Sequence, residues 1–362
     1  MNVSRTFGAR TGRTLAAAAF AAWALVACSG DDDSPAAPAT KFTLTALVSD
    51  GSVAGTRTDP NLVNGWGVAF NPTGFVWVAD AGTARSTLYD GNGVVQSLVV
   101  ATPPSPTGIV FNGTATDFVV TQAGVSGASA FIFAGENGTL AGWSPTVNRT
   151  AAVPVYDGSS AGKSYKGLAL ASQGGASFLY AADFHNGAVD MFDRTFTPFS
   201  TAGRFRDPGL PAGYAPFGIQ AIGNQIYVAY ARQDATAHDA VNGAGLGVID
   251  VFDPAGAFVR RLVTGGPLNA PWGMAMAPAD FGTFANALLV GNFGDGRINA
   301  FDPATGNFLG TLSKTDGTPI VIDGLWGIAF GNGVNQQPTT TLFFASGPAG
   351  ETHGLYGRID AQ

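Results

Sequence analysis

Apolar residues in this 362-residue chain fall in short runs, and six of the runs share one plan built around a glycine. The copies are Trp66-Gly67-Val68-Ala69-Phe70, Thr107-Gly108-Ile109-Val110-Phe111, Lys166-Gly167-Leu168-Ala169-Leu170, Phe217-Gly218-Ile219-Gln220-Ala221, Trp272-Gly273-Met274-Ala275-Met276 and Trp326-Gly327-Ile328-Ala329-Phe330. Their glycines are 41, 59, 51, 55 and 54 residues apart. A second apolar run follows each copy, at 75–80, 117–122, 178–183, 225–231, 287–292 and 342–346. Runs this short, bounded by Gly, Pro, Asn and Asp, predict strands rather than helices. A third strand closes on an aromatic–Asp turn at Tyr89-Asp90, Phe192-Asp193, Phe252-Asp253 and Phe301-Asp302. The second repeat offers Trp143-Ser144-Pro145 there instead. A fourth strand follows, as at 258–263 and 308–312. Four strands recurring at this period predict the blades of a β-propeller.

The two ends of the pattern fit each other. The sixth repeat reaches Ile359-Asp360 and then only Ala361 and Gln362, with no fourth strand. Residues 42–48 alternate as a strand that belongs to no blade of its own. We therefore expect an all-β, six-bladed propeller with four-stranded blades, closed by 42–48 completing the last blade. Closure also covers edges that would otherwise template aggregation.

Residues 1–13 carry Arg5, Arg10 and Arg13 and no acid, and residues 15–27 form an apolar run. Thirteen residues suit a signal peptide and are too few to span a bilayer. The run ends Leu25-Val26-Ala27-Cys28, which resembles the bacterial lipobox. That resemblance implies cleavage before Cys28 and lipidation of its thiol. Ser29, where an Asp would retain the protein, resembles the Gram-negative choice of the outer membrane. The expected organisation is a leader at 1–27, a lipidated Cys28 with a flexible tether over 28–41, and one domain over 42–362. The expected location is the cell envelope, attached to the outer membrane, facing either the periplasm or the outside.

Composition narrows the classes further. Gly (51) and Pro (21) are too abundant for a helical bundle, and one Cys excludes an intrachain disulfide framework. At 46% hydrophobic residues the chain has ample surface to bury, which excludes general disorder. A net charge of −7 with no basic patch argues against a nucleic-acid partner. A monomer is expected.

The repeats resemble NHL-type and gluconolactonase-like six-bladed propellers. The segments Ala182-Asp183-Phe184-His185-Asn186-Gly187, Asn269-Ala270-Pro271-Trp272-Gly273 and Gly291-Asn292-Phe293-Gly294-Asp295-Gly296-Arg297-Ile298 are similar to a family of secreted bacterial proteins, some of which carry a C-terminal PEP-type sorting signal. This resemblance implies the fold and brings no established activity.

In a propeller, the loop entering each inner strand shares a face with the loop joining the second strand to the third. All three histidines, His185, His238 and His353, fall in second-to-third loops. Asp80, Arg85, Gln122, Asp183, Asp234, Asp239, Asn292, Asp295 and Glu351 join them, and Asn64, Lys163 and Lys166 fall in entry segments. Trp66, Trp272 and Trp326 flank the channel mouth, where ring stacking on a ligand is expected. Binding of a small ligand, a glycan or a partner protein at this face is the expected function. One alternative is a lactonase-type hydrolase. Imidazole with carboxylate oxygens suits Zn²⁺ and oxygens alone suit Ca²⁺, and Asp183, His185, Asn292, Asp295 and His353 are its candidate ligands. A structural role in envelope assembly is the other alternative. The stretch Gly158-Ser159-Ser160-Ala161-Gly162 fits a hydrolase elbow in letters, which needs a strand before it and a helix after it, but it lies in a small-residue connection between the second and third repeats with no helical periodicity downstream.

Overall fold

Each of the six repeat glycines lies where the next blade's inner strand passes closest. A Cβ added to Gly67 would stand 2.6 Å from the Thr107 carbonyl oxygen, and one on Gly273 would stand 2.5 Å from that of Trp326. A Cβ on Gly327 would stand 2.5 Å from the carbonyl of Trp66, so the series returns to its start and the ring is closed. Real Cβ atoms do not approach so near, and the same holds at Gly108 (2.3 Å) and Gly218 (2.1 Å); at Gly167 the nearest atom, the Phe217 carbonyl oxygen, would stand 3.2 Å away, which is tight but not forbidden.

The architecture is that of a computed structural model describing residues 40–362. The leader, Cys28 and nearly all of the expected tether lie outside the described residues. Six sheets surround one axis, antiparallel throughout except that Arg57–Thr58 pairs parallel with Phe42–Ser49 at the edge of the last. Blade 1 comprises Gly65–Phe70, Val76–Asp80, Arg85–Tyr89 and Val100–Ala101. Blade 2 comprises Pro106–Phe111, Phe131–Gly135, Thr139–Trp143 and Val153–Asp157. Blade 3 comprises Tyr165–Gln173, Ala176–Asp183, Ala188–Phe192 and Pro198–Phe199. Blade 4 comprises Tyr214–Ile222, Gln225–Arg232, Val248–Phe252 and Phe258–Thr264. Blade 5 comprises Pro271–Met276, Leu288–Asn292, Ile298–Phe301 and Phe308–Thr311. Blade 6 comprises Leu325–Phe330, Leu342–Ser346, Leu355–Ala361 and, as its outer strand, Phe42–Ser49.

The closing strand pairs antiparallel with the last one, Phe42 opposite Ala361 and Leu44 opposite Ile359. Phe42 is 1% exposed and packs on Phe281 and Phe284, ring centroids 5.0 and 5.9 Å away. The expected closure is therefore present.

Blade 2 departs from expectation. Its second strand is Phe131–Gly135, with Phe131 opposite Phe111, and not 117–122. Val119–Gln122 instead pairs with Val125–Ala128 as a separate hairpin inserted between the first two strands. Burial explains the choice. Phe131, Ile132, Phe133 and Ala134 are all buried, while Val119 and Val125 are 44% and 47% exposed. The insertion accounts for the longest repeat spacing.

The core lies between blades. Six apolar clusters each fill one interface between neighbouring sheets, the last joining blade 6 to blade 1. A seventh gathers Trp66, Phe184, Phe217, Trp272 and Trp326 around the axis.

Candidate ligand site at the channel mouth

The residue immediately before each repeat glycine is Trp66, Thr107, Lys166, Phe217, Trp272 or Trp326, and all six are buried. This one register position plugs the channel. Trp66 stacks on Trp326 with ring centroids 3.4 Å apart and an interplanar angle of 15°. Trp272 meets the two edge-on at 5.8 and 5.7 Å, a favourable aromatic geometry. Phe293 stacks on Trp326 at 4.1 Å, and Phe217 lies 5.6 Å from the same ring. Trp272 Nε1 donates to the Lys166 carbonyl (2.8 Å) and Trp326 Nε1 donates to Asn64 Oδ1 (3.1 Å). The indole N–H of Trp66 has no acceptor.

Above this plug lies a cavity of about 220 Å³ to which every blade contributes. Trp66 comes from blade 1, Glu136 from blade 2, Lys166 from blade 3, Phe217 and Asp239 from blade 4, Phe293 from blade 5, and Trp326 and Glu351 from blade 6. Below the plug the axis narrows to a space of about 40 Å³ walled by Gly67, Gly108, Gly273 and Gly327. The mouth is therefore a dead end and not a pore.

Lys166 is the charged exception in an aromatic register. Only 3% of its side chain is exposed. Its ammonium forms an ion pair with Glu136, lies 3.9 Å from Asp239 Oδ1, and sits 5.6 Å from the Trp66 ring centroid and 5.9 Å from that of Phe184. Both ring distances are within cation–π range. Glu351 accepts a hydrogen bond from Asn64 Nδ2 at 2.7 Å. Burial pushes the Glu351 carboxyl above its ordinary pKa; the Asn64 bond opposes this, and the charges of Glu136 and Asp239 add to it. Glu351 and Asn64 both hold left-handed backbone, φ 69° and 50°, as does Ala349 at 55° in the same turn. Backbone so held is the kind of strain that gathers at ligand-binding loops.

Of the residues singled out from sequence, Trp66, Lys166, His238, Trp272, Trp326 and Glu351 meet at this mouth. His238 is exposed, its Nδ1 2.9 Å from Asp239 Oδ1. Asp239 and Asn64 join them, Asp239 beside Lys166 and Asn64 bonded to Glu351 and Trp326, and most of the rest stay in their own blades. Asp80 is fully buried at a strand end, and burial and the nearby Asp59 raise its pKa well above the ordinary value. Arg85 donates to the Ala84 carbonyl. Asp183 takes bonds from Lys163 Nζ, Ser164 N and Asn186. Asn292 donates to the Pro267 carbonyl and to Asp295 Oδ1. His353 Nδ1 lies 2.7 Å from Asp50 Oδ2, and His185 is exposed. The five candidate metal ligands are thus divided among blades 3, 5 and 6. Among the described residues no three His, Cys, Asp or Glu converge on a point that would hold a cation.

Sequence reasoning missed Glu136. It follows Gly135 in the second-to-third loop of blade 2, which was sought some 13 residues too early, after 122. The buried run Phe131–Ala134 was the available signal. Phe217 was also passed over, although it holds the same register as the tryptophans.

No family model matches the chain. It is 34% identical over 339 residues to uncharacterized protein R648 of Acanthamoeba polyphaga mimivirus, covering 90% of this chain and 82% of that protein. It is 33% identical over 327 residues to uncharacterized protein L690 of the same virus, covering 86% and 84%. Among solved structures, a structural genomics protein of unknown function from Bacteroides thetaiotaomicron superposes with a TM-score of 0.57 at 11% identity, covering 89% of this chain and 76% of that one. A glucose dehydrogenase superposes with a TM-score of 0.54 at 10% identity, covering 88% and 100%. These structural neighbours are six-bladed propellers, and at such identities the likeness shows the fold alone.

Proposed function

Since the chain belongs to the same family as mimivirus proteins R648 and L690, whose names state no activity, we propose a function from its own site: it is a binding protein that takes a small amine-bearing ligand in the channel mouth. The observation that carries this is the dead-ended cavity lined from all six blades, since a rigid ring converging on one pocket is how propellers expose a site. Its volume corresponds to about seven waters, which suits a small molecule. Three carboxylates, Glu136, Asp239 and Glu351, face one ammonium, Lys166. Carboxylates beside aromatic faces suit a protonated amine.

The test compares three molecules of one chain length: n-butylamine, n-butanol and n-butyrate. The amine raises the melting temperature of the protein and the other two do not. Ligand at 100 times its Kd adds about 2.7 kcal/mol of stability, enough to read as a thermal shift. If no member of a broad panel of unrelated small molecules shifts melting or tryptophan emission, the binding reading falls.

We also propose that the mature protein is attached to the outer membrane through lipid on Cys28, on the strength of the leader and the lipobox-like Leu25-Val26-Ala27-Cys28. Membership of the secreted bacterial family rests on the motifs quoted for it. Metabolic labelling with an alkynyl fatty acid, abolished by Cys28→Ser, tests the attachment.

A further inference from the structure

We infer that the face of the propeller opposite the mouth rests on a lipid surface, so that the mouth opens away from the membrane. This rests on the Cys28 attachment proposed above.

The argument begins with where the chain joins the ring. Thr40 Oγ1 accepts a hydrogen bond from Thr283 N at 2.8 Å, and Phe42 packs on Phe281 and Phe284. Those partners lie in the loop that joins Pro271–Met276 to Leu288–Asn292 in blade 5. Trp272 and Phe293, which belong to the mouth, stand at the other end of the same two strands. Thr40, the first described residue, is therefore held on the side of the ring away from the cavity. Eleven residues lie between Cys28 and Thr40, so twelve backbone steps give a covalent reach of at most about 43 Å.

The side it reaches is apolar. The outer strands of blades 4 and 5 expose Phe258 (38%), Val259 (46%), Phe308 (50%) and Leu309 (50%). Arg260 donates to the Pro303 carbonyl at 2.8 Å, which ties the first pair to the turn that precedes the second. Phe308 and Leu309 lead into Gly310, which lies against Phe284 beside the point where the chain enters. The acids that flank the strip are bonded within their own exposed turns. Asp253 Oδ1 accepts from Ala257 N, and Asp302 Oδ1 accepts from Ala304 N and Thr305 N. The far end of the channel repeats the contrast. It opens as a cavity of about 320 Å³ walled by Phe70, Val110, Phe111, Leu170 and Ala221, with Gln220 its one polar side chain. The mouth, by comparison, carries five ionisable side chains.

Apolar side chains of this kind gain by entering the headgroup boundary, and a patch too weak to hold a free protein holds one that is already tethered. The full-length lipidated protein is reconstituted in phosphatidylethanolamine–phosphatidylglycerol vesicles, carrying one environment-sensitive fluorophore at Phe308→Cys or at Thr236→Cys on the mouth side. Both positions are exposed. The label at 308 shifts to the blue and is quenched by spin-labelled lipid, while the label at 236 is quenched by aqueous iodide. Equal iodide access at both positions, in protein that floats with the vesicles, overturns the inference and leaves the lipid attachment standing. Protein that does not float overturns the attachment and the inference with it. A shielded 308 label that depends on protein concentration, and not on lipid, assigns the strip to a second copy of the chain and also overturns the inference.

Discussion

Lys166 on blade 3 and Glu136 on blade 2 form the buried ion pair at the base of the mouth, in a position where the other blades place tryptophan, phenylalanine or threonine. Removing one member of such a pair leaves a charge without its partner, which costs about 3–5 kcal/mol. Lys166→Met should lower stability by about the smaller of those figures, since 20% of Glu136 remains exposed. Adding Glu136→Gln to Lys166→Met should restore much of the loss. Urea unfolding of the four proteins of this double-mutant cycle measures the coupling, and additivity would mean that the pair contributes nothing.

The mouth carboxylates also set a pH dependence for binding. Burial raises the pKa of Glu351, so it takes up a proton at higher pH than an ordinary carboxyl does. A protonated Glu351 no longer attracts an ammonium. Affinity for n-butylamine should therefore fall as pH drops, beginning above the usual carboxylate range. Glu351→Gln should weaken binding about tenfold at neutral pH and flatten that profile. Titrations followed by tryptophan emission between pH 5 and 8 give both answers, and an unchanged profile in the variant would assign the effect elsewhere.

Asp250, in blade 4, provides a stability test away from the mouth. Burial, with the Asp207 charge beside it, pushes its pKa up to about 7, against the opposing pull of Arg261. A carboxyl raised in the folded state adds stability that is complete below its ordinary value of 3.8 and is lost as pH rises through about 7. Asp250→Asn should therefore gain stability relative to the parent between pH 4 and 7, with no further gain above pH 8. Urea midpoints across that range measure the difference, and a constant offset would show that Asp250 does not titrate there.

Gly327→Ala examines the ring of close approaches. Its added methyl would stand 2.5 Å from the Trp66 carbonyl oxygen and press on the strand that carries Trp66. A loss of about 1–3 kcal/mol is expected from such overpacking, together with a change in near-ultraviolet circular dichroism as the Trp66–Trp326 stack shifts. Unchanged dichroism would mean that the strand yields without moving the stack.

Phe42→Ala tests closure. The ring fills the space between Phe281 and Phe284, so its truncation should cost about 3–5 kcal/mol in thermal or urea unfolding. A loss below about 1 kcal/mol would show that the outer strand is dispensable.

The blades were legible in sequence because a glycine recurs at one register position of every inner strand, and in five of the six the next blade's strand passes too close for a side chain. Closure was legible because the sixth repeat lacked a strand that 42–48 could supply. Blade 2 was misread because Val119 and Val120 look as apolar as Phe131 and Ile132; the hairpin strand buries Val120 (1%) and exposes Val119 (44%), whereas Phe131–Ala134 is buried throughout. The mouth was half legible. Trp66, Lys166, Trp272 and Trp326 share one register, which a repeat reveals. Which loop acids reach Lys166 depends on backbone paths across several blades. Asp239 comes within 3.9 Å of it and Glu351 lines the same cavity bonded to Asn64, while Asp183 turns to Lys163.

The pairing of Phe42 with Ala361 joins residues 319 positions apart, the greatest separation of any paired residues in the described fold. Sheet pairing at that range is slow, because the whole intervening chain must be organised first. During synthesis, blade 6 remains two-stranded until 355–361 arrives, because Phe42–Ser49 joins the blade only through that strand. Phe281 and Phe284 remain uncovered over the same interval. The ring is thus held back from closure until 355–361 is in place, and a truncation that removes this strand should leave a species that aggregates through the open edge of blade 6 and not a five-bladed ring.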